Sequence, residues 1–175
     1  MRYYTSFESP LKQLLLVSDG QALTGLYFQM HRHGEAIQPE WKQDDSVRPF
    51  PQVKKQLAAY FAGELHTFDL PLALMGSEFQ RLVWNKLQSI PYGMTISYGE
   101  LARQVDRPDS VRAVGQANAH NPVSIIVPCH RVIGARGKLT GYGGGLVIKA
   151  ALLTFEAQVL ARGAHPFSEP NYAPK

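Results

Sequence analysis

The 175-residue chain holds one cysteine, Cys129, and the residues around it are of the types that thiol chemistry needs. Pro128 precedes it, His130 and Arg131 follow it, and an apolar run over residues 123–127 leads up to it. A single thiol makes neither an intramolecular disulfide nor a multi-cysteine metal site, which leaves a small buried hydrophobe or a nucleophile. As a nucleophile it needs a base, because the thiolate is the reactive form and a free thiol with a pKa of about 8.5 is only a few per cent ionised at neutral pH. His130 is the nearest base in sequence and Arg131 a neighbouring cation. Adjacent residues of an extended chain point to opposite faces, so Cys129 reaches His130 only through a turn or a bridging water.

These groups must be held by elements. The run over 123–127, rich in Val and Ile, predicts a buried strand that starts after the Asn121-Pro122 turn and stops at Pro128, whose missing N–H cannot continue a ladder. Cys129 would then sit in an irregular segment beyond the sheet and line a pocket. Downstream, Gly141, Gly143, Gly144 and Gly145 flank Tyr142 in a loop that a ligand can approach closely. The loop lacks the Gly-Lys-Ser/Thr ending of a phosphate-binding P-loop. A helix over about 146–161 should turn Leu146, Ala150, Leu153 and Leu160 inward. Glu156 lies four residues after Leu152, which makes it either a surface acid on the helix edge or an inward-facing one that is costly unless paired. Lys149 reads as a surface lysine.

Ahead of the thiol, Ser97 and Glu100 have capping-box spacing, and a short helix follows to about Asp106. After a turn over 107–110, Asp109 or Ser110 caps a second helix through about Ala119, and the pair reads as a helix-turn-helix. The second helix carries Arg112 in its first turn and the small residues Ala113, Gly115, Ala117 and Ala119. Small side chains serve close approach to a partner or tight packing in a core, and spacing alone leaves both open. A further capping box, Ser77 with Gln80, opens an earlier helix with Phe79, Val83, Leu87 and Ile90 on one face, and Trp84 and Tyr92 read as packing residues.

The first third predicts a small sheet with one helix. Residues 11–17 and 22–28 read as strands joined by an Asp19-Gly20 hairpin, and residues 31–51 as a polar loop. His31 and His33 in that loop have no cysteine or carboxylate at ligand spacing and read as surface residues, so no metal is expected. Val53, Leu57, Tyr60 and Phe61 share a helical face ended by Gly63, residues 65–74 form an extended linker, and the proline-rich tail after Gly163 is expected to be poorly ordered.

At 45% hydrophobic the chain can bury a core. Its net charge of +4 is divided as −1 over residues 1–75 and +5 over residues 76–175, so the second part is the one to face a polyanion. No apolar run approaches the roughly 20 residues of a membrane span and no export signal is evident, so the cytoplasm is the expected compartment.

Pro128, Cys129, His130, Arg131 and Val132, with Asn121-Pro122 before them and Gly141-Tyr142 and Gly144-Gly145-Leu146 after them, resemble the active-site signature of the O6-alkylguanine-DNA alkyltransferases. The match runs in register from about Ser77 to Glu156. The resemblance implies an α/β protein: a small RNase H-like α/β domain with its linker over residues 1–75, then a mostly helical catalytic domain with the helix-turn-helix over 76–163, then a tail over 164–175. It implies direct-reversal repair by a suicide enzyme, in which the alkyl group of O6-alkylguanine in double-stranded DNA passes once and irreversibly to Cys129, after minor-groove binding and base flipping. O4-alkylthymine is a second candidate substrate.

By the same resemblance His130 and Glu156 form the relay that activates Cys129, Tyr98 crowds the 3′ phosphate and protonates the leaving guanine, and Asn121 braces the active-site segment. Arg112 fills the gap left by the flipped nucleotide, with Ala113, Gly115 and Ala117 on the DNA-facing surface. Val132, Tyr142, Gly143 and Gly144 line the guanine pocket, and Lys149 falls near it. Gly143 stands where serine or alanine is frequent, which removes any side-chain hydrogen bond from that position. The protein should act without cofactor or metal and as a monomer, with cooperativity along DNA left open. A lesion-binding protein without chemistry is opposed by Cys129, and a cysteine hydrolase leaves the arginine-bearing helix without a purpose.

Overall fold

The computed structural model describes residues 1–29 and 31–168. The first half is a four-stranded sheet of order β3-β2-β1-β4, built from β1 (Tyr3–Glu8), β2 (Gln13–Ser18), β3 (Leu23–Phe28) and β4 (Lys42–Gln43). The two predicted strands are β2 and β3, paired antiparallel. β1 was not foreseen in the sequence, and its polar Ser6 and Glu8 are exposed. Two-residue β4 lies within the stretch expected to be loop and runs parallel to β1.

Helix α1 (Phe50–Phe61) starts inside the same stretch, with Pro51 in its first turn where a missing N–H costs nothing. It buries Phe50, Val53, Leu57, Tyr60 and Phe61 against Leu14, Leu16, Leu23, Leu26 and Phe28 of the sheet. Each such leucine stabilises the fold by about 2 kcal/mol relative to its exposed state. A smaller apolar group of Val17, Tyr27 and Trp41 forms a second cluster.

The second half holds α2 (Glu78–Leu87), β5 (Ile96–Ser97), α3 (Tyr98–Gln104), α4 (Val111–Ala119), β6 (Val132–Ile133) and α5 (Leu146–Arg162). The capping box at α2 is complete: Gln80 N–H donates to Ser77 Oγ at 3.1 Å, and Ser77 N–H to Gln80 Oε1 at 2.9 Å. At α3, Ser97 Oγ accepts from Glu100 N–H at 3.0 Å, but the Glu100 carboxylate turns to Arg103 and Gln104 instead of closing a box. Ser110 is the N-cap of α4 without a side-chain bond. α3 and α4 form the expected helix-turn-helix, and α2 packs on α4, where Trp84 Nε1–H donates to Ala117 O at 2.7 Å.

Two expectations fail here. Residues 123–127 are buried but form a turn, not a strand: Val127 N–H returns to Val123 O at 3.0 Å, Ile126 N–H to Ser124 O at 2.8 Å, and Ile125 has a φ of 70°. Val123 keeps one isolated bridge to Leu26, with prolines bounding the run at 122 and 128. α5 is also rotated from the predicted face. It buries Ile148, Lys149, Ala151, Leu152, Phe155, Glu156 and Val159, while Leu146 and Leu160 are exposed.

The tail starts by packing. Phe167 is buried against Phe61 and Phe155, and its N–H donates to Phe61 O at 2.6 Å, which fastens α5 to α1. The rest of the predicted tail, 169–175, lies outside the described residues. Core residues of both halves, from Leu14 to Phe167, belong to one continuous apolar cluster.

Candidate active site

Cys129 opens a single 3-10 turn, Cys129–Arg131, and is 3% exposed. This turn replaces the extended geometry that would have sent Cys129 and His130 to opposite faces. Asn121 holds the approach to it: its Nδ2–H donates to Val127 O at 2.7 Å, and its Oδ1 accepts from Val123 N–H at 3.0 Å. Asn118, from the end of α4, donates to Cys129 O at 3.3 Å, so that helix and the thiol turn are joined. Burial pushes the thiol up to about 11, against hydrogen bonding from Asn121 and the charge of Lys149, which pull it down.

His130, next in sequence to the thiol, belongs to a buried polar cluster. His130 Nε2 lies 2.8 Å from Glu156 Oε1, and neither side chain is exposed. Burial lowers the His130 pKa despite the nearby carboxylate, so the neutral ring donates Nε2–H to Glu156 and leaves Nδ1 as an acceptor with no protein partner. Glu156 accepts four further bonds: from Arg131 Nε at 2.9 Å and Nη2 at 2.8 Å, Tyr60 OH at 2.9 Å and Gly93 N–H at 3.1 Å. Burial alone would raise this carboxyl. The hydrogen bonds from His130 and Arg131, with the Arg131 charge, overturn that and hold it well below the usual carboxylate range.

Arg131, Tyr60 and Gly93 were not picked out from the sequence as members of the relay. Arg131 is itself buried, donates also to Ile90 O at 2.8 Å, and lies over the Tyr92 ring at 5.4 Å. The signal available for it was its place two residues after the thiol. Tyr60 comes from the other half of the chain, which the resemblance gave no chemistry, and no sequence pattern links it to Glu156.

Lys149 is fully buried, contrary to the surface reading. Its Nζ donates to Thr140 O at 2.8 Å and reaches Tyr98 OH at 3.4 Å, and burial brings its pKa down to about 8. Tyr98 donates its own O–H to Thr140 O at 2.9 Å, so Lys149 and Tyr98 both grip the start of the glycine loop. In that loop Tyr142 is buried and packs edge-on against Phe28 of β3. Gly144 leaves room for both rings, since a Cβ there would meet Phe28 and Tyr142 at 2.9 and 3.0 Å. Val132 is buried in β6, paired with Ile96, directly after the thiol turn.

A cleft of about 440 Å³ opens between α4 and the loop, lined by Tyr98, Arg112, Gly115, Gln116, Thr140 and Gly141, with Arg32 and His33 from the first half. Arg112 and Ala113 are exposed, and Gly115 is half-buried. Ala117 does not belong to this surface: it is 3% exposed, and its carbonyl accepts from Trp84. Among the described residues no group of three His, Cys, Asp or Glu could hold a metal.

A solitary thiol whose turn is tied to the second helix of a helix-turn-helix and runs into a histidine paired with a carboxylate fits a DNA-binding group-transfer protein with a cysteine nucleophile. Family models agree with both halves. The 6-O-methylguanine DNA methyltransferase ribonuclease-like domain matches residues 2–74, and the DNA-binding domain of the same family matches residues 78–158. The methylated-DNA–protein-cysteine methyltransferase of Methanosarcina acetivorans is 49% identical over 88% of this chain and 97% of its own length. That of Mycolicibacterium paratuberculosis is 52% identical over 87% and 91%.

Among solved structures, Mycobacterium tuberculosis OGT in complex with DNA superposes with a TM-score of 0.82 at 49% identity, covering 89% of this chain and 93% of that one. The O6-methylguanine-DNA methyltransferase of Pyrococcus kodakaraensis superposes at 0.63 with 26% identity, covering 89% and 99%. The chain belongs to the O6-alkylguanine-DNA alkyltransferase family, with its ribonuclease-like α/β domain followed by a DNA-binding domain.

Proposed function

We propose that Cys129 is the residue on which this protein carries out direct-reversal repair, with His130 as its base and Glu156 as the group that orients the base. The enzyme is a methylated-DNA–protein-cysteine methyltransferase, and its partner is double-stranded DNA carrying O6-alkylguanine. The observation that carries the residue assignment is the buried 2.8 Å contact between His130 and Glu156 beside the only thiol of the chain. Neutral His130 takes the thiol proton at Nδ1, by way of a water, and the carboxylate steadies the imidazolium that forms. The Lys149 ammonium favours the thiolate.

The thiolate attacks the alkyl carbon in line. A C–S bond forms, the C–O6 bond breaks, and its electron pair leaves with guanine as the N1/O6 anion. Tyr98 gives its hydroxyl proton to guanine N3, and the proton collected by His130 passes on to the Tyr98 phenolate, so guanine departs neutral and both side chains return to their resting forms. The product is a thioether, which offers water no carbonyl to attack, so each molecule acts once. The target base must first leave the duplex, at a cost of a few kcal/mol that is least for a mispaired alkylated guanine. Arg112 occupies its place, with Ala113 and Gly115 against the minor groove.

Tyr142, Gly143 and Gly144 frame the guanine, and Val132 supports the pocket from the strand behind. Residues 1–75 and 76–163 are the two domains of this reading. The cytoplasm is its compartment, and among the described residues no helix is long and apolar enough to cross a membrane.

A duplex bearing one O6-methylguanine tests this directly. Intact mass should show one added methylene, mapped to Cys129, with guanine restored and no second round. Repair by Cys129→Ser, or repaired DNA with unmodified protein, would overturn the assignment.

A further inference from the structure

The turn that follows β3 reaches across to the glycine loop and to the end of α4, and nothing in the reaction described above uses it. The His31 ring fills the space in front of Gly143: a Cβ at position 143 would overlap Cε1 and Nε2 of that ring. Arg32 N–H donates to Gly143 O at 3.0 Å, so the same turn also ties the loop backbone. One residue on, the His33 ring stacks on His120, the C-cap of α4, with centroids 4.1 Å apart and planes at 27°.

His31 is held for this placement. Its Nδ1 accepts from His33 N–H at 3.1 Å, which puts its ring proton on Nε2, and it packs edge-on against Tyr27 at 5.6 Å. Burial, with a smaller effect of His33, lowers its pKa to about 4, so the ring stays neutral at physiological pH and rests against Gly143 without a charge.

We propose that the turn His31-Arg32-His33 is a positioning clasp for the substrate loop, and that Gly143 lacks a side chain because His31 occupies its place. The inference rests on reading residues 141–145 as the wall of the guanine pocket. Three contacts at consecutive residues fix the loop and the recognition helix to one rigid sheet end. The loop height over Cys129 is thereby set by the first half of the chain, and the clasp acts on guanine binding through the loop, not on the thiol.

Reaction with free O6-benzylguanine isolates this effect, because the free base needs neither DNA binding nor flipping. The half-saturating concentration and limiting rate of Cys129 benzylation would be measured by intact mass for wild type, His31→Ala, Gly143→Ser and the double variant. His31→Ala should raise the half-saturating concentration about tenfold with the limiting rate changed less than about twofold, since a loosened loop costs binding while the relay is untouched. Gly143→Ser alone should do at least as much harm, and the double variant, in which the serine side chain replaces the ring, should recover to within about threefold of wild type.

Unchanged half-saturation in His31→Ala, or a double variant no better than Gly143→Ser, overturns the clasp. Because His31 is half-exposed, melting curves should stay near wild type, and rate loss tracking a lowered melting temperature also overturns it. Failure of the wild type to gain a benzyl group would instead sink the alkyl-acceptor reading.

Discussion

Glu156 collects five hydrogen bonds with no exposed surface, two of them from the buried Arg131 guanidinium. Glu156→Gln leaves that guanidinium buried without a counter-ion, and should lower stability by about 3–5 kcal/mol in denaturant titration, well beyond a surface change. The pH dependence has the same sign for both relay members. Glu156 and His130 are each held below their ordinary values, so the stability they lend is complete at neutral pH and is lost as acid protonates them. Alkyl transfer should therefore stay flat through neutral pH and decline only on the acid side of the ordinary imidazole range. A decline already centred above that range would contradict a neutral resting His130. Lys149→Met keeps the volume and removes the cation near a thiol whose burial already resists ionisation; benzylation should slow by roughly tenfold and recover toward high pH.

At the scale of elements, α4 has its first turn on the cleft and its last turn on the thiol segment. Arg112 is exposed on the cleft while Asn118 of the same helix holds the thiol turn. Arg112→Ala should cut repair of duplex DNA by at least about tenfold and leave free O6-benzylguanine within about twofold, whereas equal losses would mean the helix had shifted. What the sequence discloses about these elements divides by the range of the interaction. The Ser77–Gln80 box and the two helices of the DNA reader are written in neighbours three and four residues apart, and they stand where spacing puts them. Residues 123–127 look like a strand because Val and Ile favour one, yet their hydrogen bonds are settled by Asn121 and by flanking prolines that leave room only for a turn. Lys149 reads as a surface residue by type, and its burial follows from the partners Thr140 and Tyr98 that folding delivers. The pairing of His130 with Glu156 is legible through the family pattern, whereas Arg131 and Tyr60 join it through contacts that spacing does not encode.

Over the whole molecule, the two halves share one apolar core, and the hydrogen bonds of Glu156 cross the boundary between them. Tyr60 of α1 donates to the carboxylate that steadies the histidine, so Tyr60→Phe, which alters one hydroxyl, should cost about 1–2 kcal/mol in stability and measurably slow alkyl transfer. A rate identical to wild type would confine the first half to a structural role. Phe167 closes the core from the C-terminal side, and Phe167→Ala should remove about 3 kcal/mol by denaturation. Trp84 gives this architecture a built-in optical reporter. The chain has only two tryptophans, and the indole N–H of this one is bonded to the Ala117 carbonyl inside α4. With Trp41 replaced by phenylalanine, emission from the remaining indole should register any displacement of the recognition helix, and so time the docking and release of a duplex without a label.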